Sequence, residues 1–360
     1  MTWDGPGPGE RMLLLAPHPD DETLSAGGLL QRTLARGGQA IVAFATDGEN
    51  NPWTQRLVER RLRLGPEDCA RFGRRRREEA LAALSVLGVA AADAVFLALP
   101  DQAITDILLS ESEAAVDRIV SLINERRPTL LIAPSLFDLH PDHSALAVLL
   151  RLALARIDPD RRPRLFDYLI HRSRRGSAVA TADGPALVRF EPSDRERDRK
   201  RRAILCHATQ LAVHRRKFLS SADRPEIFFP QETASAGDAL HPVRRARLGP
   251  DTLRLDLVLR PRPGAFGRPT LHLATGASGE RRSLSFDLRW RRGRADVKDF
   301  LTDETTGRAA LRGGRRGGIV EVPLQALPSS RRLYVKLERR FGFFDEGGWL
   351  EVEDPRRDDA

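Results

Sequence analysis

Met12-Leu13-Leu14-Leu15-Ala16-Pro17-His18-Pro19-Asp20-Asp21-Glu22 joins a five-residue apolar run to a charged hexapeptide. A run of that length, bounded by Pro, reads as a buried strand of a parallel sheet. Pro followed by three acids suits the first turn of a helix, where the dipole is positive. The same pairing recurs far downstream: Leu130-Leu131-Ile132-Ala133 leads into His140-Pro141-Asp142-His143. Two histidine-and-carboxylate clusters therefore sit at the exits of two predicted strands.

Working outward from these runs, strands are predicted at 12–16, 40–46, 94–98, 130–134 and 165–170. Amphipathic helices are predicted at 23–36, 75–88, 113–126 and 143–156, with a further helix at 195–215. In 75–88 the residues Ala80, Leu81, Leu84 and Leu87 recur at helical spacing and Gly88 supplies the stop. Strand–helix alternation specifies βαβ units, hence an α/β, Rossmann-like three-layer fold around a parallel sheet, assigned to residues 1–232. Beyond residue 251 the period becomes two, as in Leu253, Leu255, Leu257 and Leu259, then Leu284, Phe286 and Leu288, then Leu333, Val335 and Leu337. That pattern predicts an all-β, sandwich-like domain at 251–354. Residues 233–250 are read as a linker and 355–360 as a disordered tail.

The chain has 360 residues and 41% apolar content, enough for a packed core. No apolar stretch is long enough to span a bilayer, and the N-terminal run is too short for a signal peptide. Cys69 and Cys206 are isolated thiols without CxxC spacing. A cytoplasmic protein without an integral membrane segment is expected. The net charge of +9 invites a nucleic-acid reading, but the basic residues are almost all arginine, with only four lysines, and they are interleaved with 50 acids. Local clusters at Arg74–Arg77 and Arg195–Arg202 are read as solvated helix faces, so no nucleic-acid partner is expected.

In an open parallel sheet, ligands bind beyond the carboxyl ends of the strands, where the strand order reverses. With the order 3-2-1-4-5, the strands at 12–16 and 130–134 are neighbours at that point, and the two motifs meet. A catalytic zinc site needs three protein ligands and an open position. The economical set is His18, Asp21 and His143. Asp20 is then free to act as general base on a metal-bound water, whose pKa the ion lowers to about 7. His140 is left to stabilise an oxyanion or donate a proton, with Asp142 orienting it. Helix capping explains the hexapeptide taken alone, but not the conjunction of both motifs. The strand is not followed by G-x-G-x-x-G, which removes a dinucleotide cradle.

With these residues in view, the chain resembles the LmbE-like, PIG-L-type family of N-acetylglucosaminyl de-N-acetylases over about residues 11–229. The resemblance rests on Pro17–Glu22 paired with His140–His143. Thr46-Asp47-Gly48, Arg76-Arg77-Glu78-Glu79 with Leu87-Gly88, Leu99-Pro100-Asp101 and the segment Lys200–Gln210 follow in family order. It implies a zinc-dependent hydrolase acting on the N-acetyl group of a 2-acetamido sugar, on a small-molecule or glycoconjugate substrate. By motif position it implies the same ligands, the same base and the same oxyanion partner, and it adds Arg76 and Asp101 as residues lining the sugar site. His207 is read as a core residue outside the site. Rival readings are a metal-dependent amidase on a non-sugar conjugate, an Fe2+ oxygenase built on the same ligands, and a carbohydrate-binding module dominated by the β-domain. For that last reading Trp290 and Trp349 would stack on sugar rings, with core packing as their alternative role.

Overall fold

A computed structural model of the chain describes residues 2–110, 112–171, 187–230, 241–260, 268–275, 283–327, 332–339 and 344–352. The first sheet has eight strands: β1 (Thr2–Trp3), β2 (Arg11–Ala16), β3 (Gln39–Thr46), β4 (Ala94–Leu99), β5 (Leu130–Pro134), β6 (Arg164–Tyr168), β7 (Val188–Phe190) and β8 (Glu226–Pro230). Their order is β1-β7-β8-β6-β5-β2-β3-β4. From β6 through β4 the pairing is parallel, with Leu13 opposite Leu131 and Ile41 opposite Leu13. β2 and β5 are thus neighbours, which brings the ends of both motif-bearing strands together.

Each strand of this core is an apolar run because both of its faces are covered. Leu13, Leu15, Ile41, Ala43, Leu131 and Ala133 face one buried cluster, together with α4 (Ile104–Ser110), α5 (Ser112–Arg126) and α6 (Pro141–Leu154). Met12, Leu14, Ala16, Val42 and Phe44 face the other, with α1 (Asp21–Ala35), α3 (Pro66–Leu87) and α7 (Asp194–Cys206). α6 is buried along its whole length. A helix apolar all round needs cover on both sides, and the second cover comes from the C-terminal third: Ala274, Tyr334 and Trp349 belong to the same cluster as α6.

Among the described residues, the C-terminal third forms a single antiparallel sheet of nine strands. They are β9 (Val243–Leu248), β10 (Thr252–Val258), β11 (Thr270–Thr275), β12 (Leu284–Asp287), β13 (Arg294–Asp299), β14 (Thr305–Gly314), β15 (Gly317–Pro323), β16 (Leu333–Glu338) and β17 (Leu350–Glu351). The order is β17-β16-β11-β12-β13-β14-β15-β10-β9, and β9 also lies against β16. The sheet therefore curls on itself into a barrel-like body around Leu253, Leu255, Leu271, Val297, Val320 and Val335. The expected sandwich of two sheets gives way to this one continuous sheet.

Other expectations need correction. β9 occupies part of the segment read as a linker at 233–250, because Val243 anchors it in the barrel core and it pairs with β10. Residues 233–240 and the tail at 355–360 lie outside the described residues. The helix predicted at 195–215 is two helices, α7 and α8 (Ala208–Ser221), broken at His207. The helix predicted from residue 75 starts at Pro66. α2 (Pro52–Glu59) and α4 were not anticipated.

Candidate metal centre

The hexapeptide turns sharply off β2. Asp20 is the N-cap of α1 with φ of 135°, a conformation that an L-residue adopts only when its surroundings impose it. Here the Asp20 N–H donates to Glu22 Oε2 at 2.9 Å, and Leu24 N–H donates back to the Asp20 carbonyl at 3.0 Å. On the other strand, His140 is the N-cap of α6, with Pro141 in the first turn. The Asp142 N–H donates to His140 Nδ1 at 3.2 Å. In the neutral imidazole this leaves the proton on Nε2.

His18, Asp21 and His143 each offer a ligand atom within 4.8 Å of the others, and all three residues are buried. Asp21 Oδ2 stands 3.2 Å from His18 Nδ1 and 3.2 Å from His143 Nε2. The opposite nitrogen of each ring faces a further carboxylate. His18 Nε2 is 3.1 Å from Asp101 Oδ1 and 3.2 Å from Asp142 Oδ2, and His143 Nδ1 is 3.3 Å from Asp138 Oδ2. A carboxylate behind a ligating imidazole is the usual arrangement for fixing its tautomer and ring orientation. Neither ring nitrogen of the buried His143 makes a well-formed hydrogen bond, although Asp21 and Asp138 lie close by at 3.2 and 3.3 Å. A buried lone pair without a donor, two imidazoles and one carboxylate together fit a divalent ion of the zinc type. Two overlapping groups, His18–His140–Asp142 and Asp138–His143–His171, also bring their ligand atoms within 4.8 Å of one another. In the first set both imidazoles have a carboxylate facing the second ring nitrogen.

Electrostatics follow from this crowding. Burial pushes the Asp21 carboxyl up, but His143 and His18 outweigh it and hold it well below the carboxylate range. Burial lowers His143, yet Asp21 and Asp138 raise it to about 9. His18 is likewise raised by Asp101, Asp142 and Asp21 against burial. Protons and a cation thus compete for the same lone pairs. His140 behaves oppositely: burial and the neighbouring His18 and His143 hold it well below its ordinary value, hence neutral. Burial lifts Asp20 to about 6, with Arg76 opposing.

Arg76 and Asp101, expected to line a sugar site, are 4% and 5% exposed. Arg76 Nη2 donates to the Pro19 carbonyl at 2.7 Å and to Asp20 Oδ2 at 3.2 Å, and Nη1 donates to the Gly48 carbonyl at 2.9 Å. Gly48 has φ of 66°, and a Cβ there would lie 2.0 Å from Arg76 Nη1, which explains the glycine of the Thr46-Asp47-Gly48 turn. Asp101 accepts from Asn50 N–H at 2.8 Å and faces His18. Asp142 meets His140 through its backbone rather than by the expected carboxylate contact. Its carboxylate accepts from the N–H groups of Gln102 at 2.7 Å and Ile104 at 3.1 Å.

Three residues join the centre that the sequence did not single out for it. Asp138 is fully buried, two positions ahead of His140, and accepts from three backbone N–H groups as well as facing His143. His171 lies just past β6, its ring centroid 4.9 Å from that of His143. His207, placed outside the site, is buried against Glu22 Oε1 at 3.2 Å and lies behind the hexapeptide. Strand-exit reasoning applied to the strand at 165–170 would have pointed to His171.

A family model described as PIG-L, GlcNAc-PI de-N-acetylase, matches residues 13–154. The 1D-myo-inositol 2-acetamido-2-deoxy-alpha-D-glucopyranoside deacetylase of Geodermatophilus obscurus is 31% identical over 177 residues, covering 44% of this chain. The chain spans 58% of that relative's length. The protein of the same name from Kribbella flavida is 27% identical over 277 residues, covering 61% of this chain and 90% of its own. The solved structure of the A40926 pseudoaglycone deacetylase Dbv21 is 25% identical with a TM-score of 0.47, covering 61% of this chain and 96% of that one.

Proposed function

We propose that the chain is a divalent-metal-dependent hydrolase that removes the N-acetyl group from a 2-acetamido sugar conjugate, a reading supported by the match of residues 13–154 to the PIG-L family model. The observation that carries this reading is the triad of His18, Asp21 and His143, backed by carboxylates on both imidazoles, with Asp20 buried beside it. Zinc is the ion proposed for these donors, with ferrous iron as the competitor. When bound, it would supply Lewis acidity and make water acidic enough to be a nucleophile near neutral pH.

The chain's own residues then divide the work. Asp20 accepts the proton of the attacking water, and Arg76 holds that carboxylate in place. His140, neutral and protonated on Nε2, donates to the developing oxyanion. As the C–N bond breaks, the proton on Asp20 passes to the departing nitrogen. The products are acetate and the free amine of the sugar. The names of the relatives from Geodermatophilus obscurus and Kribbella flavida make a GlcNAc–inositol conjugate the first substrate to test. Among the described residues no helix is long and apolar enough to cross a membrane, and Cys69 and Cys206 are free. The free thiols suit a cytoplasmic enzyme.

The test is amine and acetate release from a panel of acetamido sugars and simple acyl amides, using stripped protein restored with zinc or ferrous iron. Equimolar amine and acetate from a sugar conjugate, lost on stripping, is the expected result. Release from non-sugar amides alone would make the chain an amidase. Oxygen uptake without hydrolysis would refute the reading.

A further inference from the structure

We infer that the barrel-like body supplies one wall of the substrate site, and that Phe344 is the residue of that wall that meets the ligand. This rests on the deacetylase reading. It concerns a residue outside the segment matched to the family.

The segment carrying Phe344 is fastened to the loop that ends in His140. Asp345 N–H donates to the Leu139 carbonyl, and Trp349 N–H donates to the Leu136 carbonyl, both at 2.8 Å. Leu139 N–H in turn donates to the His171 carbonyl at 3.2 Å, so one strap links the barrel, the second motif and the end of β6. Gly348 makes the close approach. Its φ is 71°, and a Cβ there would stand 2.1 Å from the Leu136 carbonyl oxygen. Trp349 is fully buried in the cluster shared with α6, which makes it an anchor rather than a sugar platform. Asp345 is held by the buried Lys336, with Nζ 2.7 Å from Oδ2.

Phe344 is placed differently from its neighbours. It is 40% exposed, yet its ring lies 5.2 Å from the His171 ring and 6.1 Å from the His140 ring. A part-exposed aromatic face at the rim of a polar centre is the kind of surface that binds a ligand ring. Pyranose rings carry an apolar C–H face, and covering the exposed part of Phe344 with one removes apolar area from water on both partners. At ordinary values for apolar burial, that corresponds to about 5–20-fold in ligand affinity. The acetamide carbon belongs to the chemistry at Asp20 and His140. Phe344 acts on the part of the ligand beyond it, so its effect falls on KM.

The test uses full-length, metal-loaded protein with N-acetylglucosamine and its phenyl glycoside. Phe344→Ala and Phe344→Leu should raise KM for the glycoside by about 5–20-fold, with kcat within about twofold and with metal content and thermal midpoint unchanged. Phe344→Trp should restore most of the affinity. Phe344→Leu keeps apolar packing on His171, so a loss in both variants points to the aromatic face. Unchanged KM in both variants, with an active wild type, would overturn this inference alone. A wild type inactive on every acetamido sugar would overturn the deacetylase reading and this inference with it.

Discussion

Replacing Asp138 by asparagine should weaken metal binding by about 10–100-fold, the usual consequence of losing the carboxylate behind a ligating histidine. That range corresponds to about 1.4–2.8 kcal/mol. Asp138 Oδ2 faces His143 Nδ1 at 3.3 Å and also accepts from Ile170 and His171 N–H at 3.1 and 3.2 Å, while Oδ1 accepts from His140 N–H at 2.9 Å. An amide of the same shape keeps one of the two oxygens, so one side of this arrangement loses its acceptor whichever way the amide turns. A buried N–H left unpaired costs about 1–3 kcal/mol, so the folded state should lose a similar amount. Affinity is read by competition with a chelator of known strength, and stability by urea unfolding of the stripped protein. His171→Ala is the control: in the proposed set it is not a ligand, so it should change affinity by only a few-fold. Asp138→Asn binding metal like the wild type, with His143→Ala losing it, would refute the orienting role. Loss of metal in His171→Ala would shift the site to Asp138, His143 and His171.

Asp20→Asn should lower kcat by about 10²–10⁴-fold while metal content by elemental analysis stays at wild-type stoichiometry; normal turnover would remove Asp20 as the base. Gly48→Ala should lower kcat by at least about tenfold with metal still bound, because the new Cβ collides with the guanidinium that holds Asp20; a wild-type rate would show that Arg76 is dispensable. Lys200→Met should cost about 3–5 kcal/mol in urea unfolding, since it removes the ammonium 2.6 Å from Glu226, which then keeps only the Gly28 and Leu29 N–H donors, in a site where both side chains are 1% exposed; an unchanged midpoint contradicts that.

Which features were legible follows from how local their signals are. β2 and β5 announce themselves as apolar runs because both of their faces are buried, and crossover helices leave few ways to order such strands. Once they are neighbours, His18, Asp21 and His143 follow. Asp138 carries no such signal, being a lone polar residue in the loop before His140; His171 has only its place at a strand exit, and it joins the centre through pairing of β5 with β6. The all-round apolar character of α6 does predict a second covering layer, which the barrel provides through Tyr334 and Trp349. Several barrel strands were not foreseen because their outward positions are arginine and glycine, as in Val243–Leu248 and Thr305–Gly314. His207 reads as one more helical residue in sequence, whereas its backbone breaks the helix and its ring reaches Glu22.

The most direct test of the account is anomalous diffraction from crystals of the zinc-loaded protein. The account predicts one peak at about 2.0–2.2 Å from His18, Asp21 and His143, with Asp20 beside it and not bonded to it. A peak bound by Asp138, His143 and His171, or none at full zinc occupancy in solution, would contradict it.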